Sequence, residues 1–130
     1  MPILGHGIDI VETRRIRQLL EEHGQRFLDR CYTPAEQEYC RRNLRRQIEH
    51  LAGRFAAKEA VLKVLGTGWR GNISWTDIEI LPEPSGQPRL VLSGECRRIA
   101  DELGISQWYV SISHIETHAT ASAIGLRGES

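Results

Sequence analysis

Arg54, Lys58, Glu59 and Lys63 lie within one ten-residue stretch, and Lys58 and Lys63 are the only lysines among 17 basic residues. In a helix turning about 100° per residue, Arg54 projects with Lys58, while Glu59 projects with Lys63 on another flank. A compact ammonium grips phosphate as a point charge, a different tool from the bidentate guanidinium used elsewhere in this chain. Near the start, Gly5, Gly7 and Asp9 share one face of an alternating strand, and the glycines leave room for close approach to the backbone. A strand-end aspartate, a helix glutamate and nearby lysines are what a magnesium-bound diphosphate requires. Magnesium takes one or two protein carboxylates and fills its other positions with water and phosphate oxygens. Each feature also has a plainer reading. Glu59 and Lys63 can form an ordinary i,i+4 pair with stems on the core, and Asp9 can serve the N-terminus of the following helix.

The elements that must hold these residues follow from periodicity. Ile8 and Ile10 face one way and Gly7, Asp9 and Val11 the other, as in a half-buried strand. From Thr13 the period becomes helical, with Ile16, Leu19 and Leu20 opposite Arg14, Arg17, Gln18 and Glu21, ending near Gly24. Thr33-Pro34-Ala35-Glu36 reads as a capping box opening a second helix through Cys40. A third runs from about Gln47 to Leu65, apolar or small in nearly every direction from Leu51 onward, and so buried on most sides. Strands are expected at Ile73–Leu81 and Arg89–Leu92, then a helix at Gly94–Leu103 and strands at Trp108–Ser113 and Ala119–Leu126. Strand, three helices, two strands, helix, two strands is an α+β order rather than a doubly wound sheet.

The 130 residues, 40% hydrophobic and 26% charged, fit a single domain, residues 1–130. Net charge is zero, which argues against bulk capture of nucleic acid. No apolar run reaches the ~18 residues of a membrane helix, and the first residues lack a signal peptide's pattern, so a cytoplasmic protein without membrane contact is expected. Three cysteines, none in a C-x-x-C pair, indicate buried thiols rather than a disulfide framework or zinc ribbon.

Gly7-Ile8-Asp9-Ile10-Val11-Glu12, then Arg54-Phe55-Ala56-Ala57-Lys58-Glu59-Ala60-Val61-Leu62-Lys63 before Gly66-Thr67-Gly68, then Ser111-Ile112-Ser113-His114, together resemble the holo-acyl-carrier-protein synthases. These are the short 4′-phosphopantetheinyl transferases, and the resemblance runs over essentially the whole chain in order and spacing. It implies transfer of the phosphopantetheine arm of coenzyme A to a serine of apo acyl carrier protein, releasing adenosine 3′,5′-bisphosphate, in support of fatty acid or polyketide synthesis. It implies magnesium on Asp9 and Glu59, Lys63 beside the diphosphate, and a further role for Glu59 in taking the serine proton. By the same resemblance, Arg54 and Lys58 hold the other phosphates, Gly86 and Pro88 form the adenosine-side loop, and His114 stands beside the substrate. Ser85 replaces the asparagine usual in that loop. Read without the family, His114 is a partly buried structural histidine on the side of Val110 and Ile112.

Between Thr13 and Arg46 nine arginines face five acidic residues, a local excess of four. The set Arg14, Arg15, Arg17 and Arg26 suits a small acidic helical protein, and the family docks its carrier on the first helix; the alternative is a solvated amphipathic face. The family also implies a homotrimer with coenzyme A between subunits, consistent with Trp69, Trp75 and Trp108 needing more cover than one small chain provides. A nucleic-acid module would want more aromatic platforms among the basic residues. A two-metal nuclease or phosphatase would want more converging carboxylates.

Overall fold

Glycine and alanine set how closely the first strand meets the longest helix. In the computed structural model, which describes residues 2–128, strand β1 (Ile3–Glu12) turns Gly5, Gly7, Asp9 and Val11 toward helix α4 (Gln47–Leu65). A Cβ on Gly7 would strike the Ala60 carbonyl oxygen and press on Lys63 Cβ. Only glycine allows that approach. Strand β5 (His118–Leu126) adds Ala119, Ala121 and Ala123 to the same face, all buried, and Gly53 of α4 meets Ile112 of strand β4 (Gln107–His114). The sheet order is β1-β5-β4, antiparallel throughout, with Asp9 opposite Ala121 and His114 opposite Ala119.

Against the other side of α4 pack α1 (Thr13–His23), α3 (Pro34–Arg41), α5 (Gly94–Leu103) and the hairpin of β2 (Ile78–Pro82) and β3 (Pro88–Leu92). Residues 51 to 58 of α4 are buried without a break. The capping box forms as the sequence requires: the Glu36 N–H donates to Thr33 Oγ1 at 3.2 Å, and the Thr33 N–H donates to Glu36 Oε1 at 2.9 Å.

The α+β architecture matches expectation, with two local differences. A helix α2 (Gln25–Cys31) follows α1, buries Phe27, Leu28 and Cys31, and raises the helices before the hairpin from three to four. At seven residues it is too short for periodicity to announce. The strand expected from Ile73 starts at Ile78, because Ser74 and Asp77 cap a 3-10 turn at Trp75–Asp77 instead. Ile8 and Ile10, the apolar side of β1, face solvent at 62% and 65% exposure. Among the described residues no helix is long and apolar enough to cross a membrane.

Candidate functional site

Lys63 is the joint between strand and helix. Its Nζ donates to the Ile8 carbonyl at 2.7 Å and to Asp9 Oδ1 at 3.2 Å, tying β1 to the turn of α4 that also bears Glu59. Lys63 therefore turns to Asp9, and among the described residues it forms no ion pair with Glu59. Glu59 is half-buried, and its Oε1 accepts the indole N–H of Trp69 at 3.3 Å. Two carboxylates on different elements, braced by an ammonium and open to solvent on one side, make an incomplete donor set. Among the described residues no group of three or more His, Cys, Asp or Glu gathers to close a metal site. A closed zinc centre does not fit these residues, whereas magnesium, content with one or two carboxylates, does.

Lys58 lies elsewhere. The sequence reading sets it against phosphate, but its Nζ is fully buried and donates to Glu36 Oε1 at 2.7 Å, the Cys31 carbonyl at 2.7 Å and the Trp75 carbonyl at 3.0 Å. All three ammonium hydrogens are used, and Glu36 is fully buried as well. Burial pulls the Lys58 pKa below the ordinary lysine value, and the Glu36 carboxylate opposes that fall. Lys58 is a structural tie between α2, α3, α4 and the 3-10 turn, not a phosphate ligand. Its partner lies 22 residues earlier in sequence, in a glutamate that also closes the cap of α3.

Arg54, Gly86, Pro88 and His114 do come together, with Tyr39 and His50, around a cleft of about 160 Å³. Arg54 Nε donates to the Ile80 carbonyl at 3.2 Å, and its guanidinium lies 4.4 Å from the Tyr39 ring centroid. Its fixed orientation leaves a small part of the side chain for a ligand. His114 Nδ1 stands 2.7 Å from Glu49 Oε1, and since a carboxylate only accepts, Nδ1 carries the hydrogen. Glu49 is thus a site residue that sequence reasoning missed; its place one turn before Gly53, which meets the His114 strand, is the signal. Burial, with Arg54 and His114 nearby, holds His50 below the usual imidazole range. An adjoining cleft of about 540 Å³ shares Glu49 and His114 and adds Arg17, Arg45 and Arg46.

These two groups stand apart. Glu49, the partner of His114, and Lys63, the partner of Asp9, are fourteen residues apart on α4, about 21 Å along its axis. The basic set divides too: Arg17 lines the His114 cleft, whereas Arg26 rims an apolar hollow of about 340 Å³ floored by Leu19, Phe27, Phe55 and Trp75. Arg15 lies over Phe55 at 5.3 Å, and Arg14 is exposed beside Glu12. Burial raises the three thiols, Cys31 and Cys40 to about 11 and Cys96 to about 12, so none offers a thiolate nucleophile near neutral pH.

Residues 5–123 match the model of the 4′-phosphopantetheinyl transferase superfamily. The holo-[acyl-carrier-protein] synthase of Koribacter versatilis is 48% identical over 94% of this chain and 97% of its own length. Among solved structures, the holo-[acyl-carrier-protein] synthase of Neisseria meningitidis superposes with a TM-score of 0.87 at 35% identity, covering 96% of this chain and 99% of the other. That of Helicobacter pylori, solved in complex with coenzyme A, gives 0.81 at 32% identity over 93% and 99% of the two chains. With the family matched over residues 5–123 and a relative 48% identical over nearly the full length, the chain belongs to the 4′-phosphopantetheinyl transferase superfamily, among the holo-acyl-carrier-protein synthases.

Proposed function

We propose that this protein, as one transferase unit spanning the chain, moves the 4′-phosphopantetheine arm of coenzyme A onto a serine of apo acyl carrier protein. Adenosine 3′,5′-bisphosphate leaves. The observation that carries this reading is the Lys63 tie, which braces Asp9 of β1 beside the turn of α4 bearing Glu59. The serine oxygen attacks the phosphorus that carries the pantetheine arm, and the bond from that phosphorus to the departing bisphosphate breaks. Such a reaction asks for in-line positioning and neutralisation of spreading negative charge more than for covalent chemistry.

Asp9 and Glu59 would hold magnesium, which when bound polarises the diphosphate and stabilises the leaving oxygen. Lys63 keeps a fixed positive charge at the same place. The serine proton passes to a water that Glu59 orients, which leaves the oxygen not engaged by Trp69 for the cation. The Arg54, Gly86, Pro88 and His114 cleft receives the adenosine and its phosphates, with Lys58 removed from that set. The helix residues that hold the two groups, Glu49 and Lys63, are about 21 Å apart along α4, and a complete site takes its carboxylate half from one subunit and its His114 half from another. The exposed Ile8 and Ile10 face supports a homotrimer built on the sheet. The product, holo carrier protein, would serve fatty acid or polyketide synthesis in the cytoplasm.

Intact mass spectrometry of apo acyl carrier protein incubated with this protein and coenzyme A tests the reading. A gain equal to the phosphopantetheine arm is expected with magnesium and is absent with chelator. Asp9→Ala and Glu59→Ala are expected to keep the fold and lose two to three decades in rate, the usual cost of one transition-state donor, roughly 3 kcal/mol. No mass gain from folded protein and intact coenzyme A overturns the reaction, and full activity in either variant overturns the metal assignment.

A further inference from the structure

Trp69 occupies a position that nothing in the reaction scheme yet uses. Helix α4 ends at Gly66, and Gly66 and Gly68, with φ of 76° and 65°, reverse the chain so that residue 69 returns beside residue 59. There the Trp69 indole N–H donates to Glu59 Oε1. Among the described residues that is the only hydrogen bond made by the Glu59 side chain. The other carboxylate oxygen is left for whatever Glu59 serves.

What fixes the indole is a run of stacked rings. Trp69 lies on Trp75 with centroids 3.7 Å apart and planes 23° apart, and Trp75 lies on Phe55 at 4.6 Å and 28°. The ladder is anchored at two points in the core. Phe55 belongs to the buried length of α4, and the Trp75 carbonyl accepts from the buried Lys58 ammonium. A loop side chain is thereby held by packing rather than by its own backbone, and its one polar atom is aimed at Glu59, one turn before the Lys63 that holds Asp9.

We infer that Trp69 is the positioning residue for Glu59: its indole N–H, held by the stack on Trp75 and Phe55, fixes the carboxylate in the rotamer that receives the divalent cation. The inference rests on the assignment of Glu59 as a cation ligand. At 3.3 Å the bond lies at the long end of the hydrogen-bonding range, so it orients one oxygen without competing for the other. Outer partners of this kind commonly change metal affinity by tenfold or more when removed.

The test measures Mn²⁺ binding by electron paramagnetic resonance on the full-length protein with coenzyme A present, alongside thermal midpoints and steady-state kinetics. Trp69→Phe keeps a ring for the stack and removes the N–H; Trp69→Leu fills apolar volume with no donor and serves if the first variant is unstable. About a tenfold weaker Mn²⁺ affinity is expected in both, with the KM for carrier protein unchanged. In a Glu59→Gln background, Trp69→Phe is expected to add nothing further, because the two act through one carboxylate. Wild-type Mn²⁺ affinity in both single variants overturns the inference, as does a loss that adds fully to that of Glu59→Gln. A raised KM for coenzyme A with Mn²⁺ affinity intact also overturns it, since Trp69 would then touch substrate directly. If Glu59→Gln itself leaves Mn²⁺ binding unchanged, the failure belongs to the cation assignment of Glu59 instead.

Discussion

Removing the Lys58 ammonium would leave the Glu36 carboxylate sealed in the core with two backbone N–H donors, from Thr33 and Ile80, and no counter-charge. Breaking one partner of a buried pair commonly costs about 3–5 kcal/mol. Lys58→Met is therefore expected to lower the unfolding free energy, measured by urea denaturation, by an amount in that range, with the KM for coenzyme A unchanged in whatever fraction stays folded. A fully stable variant with a raised KM for coenzyme A would return Lys58 to the phosphates. At this scale the sequence is legible where a residue's partner is near and illegible where it is far. Asp9, Glu59 and Lys63 declare themselves through residue type and helical spacing. Lys58 carries the same spacing signals but is captured by a glutamate 22 residues earlier, whose capping role already gave it a sufficient reason to exist. Charge type and periodicity report direction around a helix; depth depends on what packs there.

At the scale of elements, α4 was legible for the reason that it now matters: a helix apolar on every side has to be surrounded, so whatever charge it carries must be either paired or functional. Its length and termini follow the sequence, with Gly66 as the left-handed cap. The burial of β1 was less legible, because hydrophobicity favours the Ile8 and Ile10 side while helix approach favours the glycine side, and approach wins. The basic helices divide their charge between two flanks, which alters the choice of docking test. Arg17 faces the His114 cleft, so reversing it would disturb both partners, whereas Arg14 and Arg26 lie clear of that cleft. Arg14→Glu combined with Arg26→Glu is expected to raise the KM for acyl carrier protein roughly tenfold at low salt and to flatten the salt dependence of kcat/KM. The KM for coenzyme A should not move. Unchanged carrier affinity would remove α1 and α2 as the docking surface.

For the whole molecule, the outer face of β1 is the surface through which the proposed assembly would form. Ile8 and Ile10 stand exposed on an ordered strand whose opposite face is packed against α4, and two lysines there would keep the inner packing intact while charging the outer face. Ile8→Lys with Ile10→Lys is expected to yield a folded monomer by light scattering, with transfer lost although every side chain named at the site, and the Ile8 carbonyl that Lys63 holds, is kept. Retained assembly would place the interface elsewhere. The spacing of Glu49 and Lys63, the partners of His114 and Asp9, along one rigid helix then has a kinetic consequence. If each working centre draws on two chains, turnover per mole of protein is a function of enzyme concentration, falling faster than linearly once the protein is diluted below its assembly midpoint. On that reading coenzyme A would span both halves and bind only the assembled form, so mass action would make it a cohesive agent: saturating coenzyme A should shift that midpoint downward and protect activity against dilution.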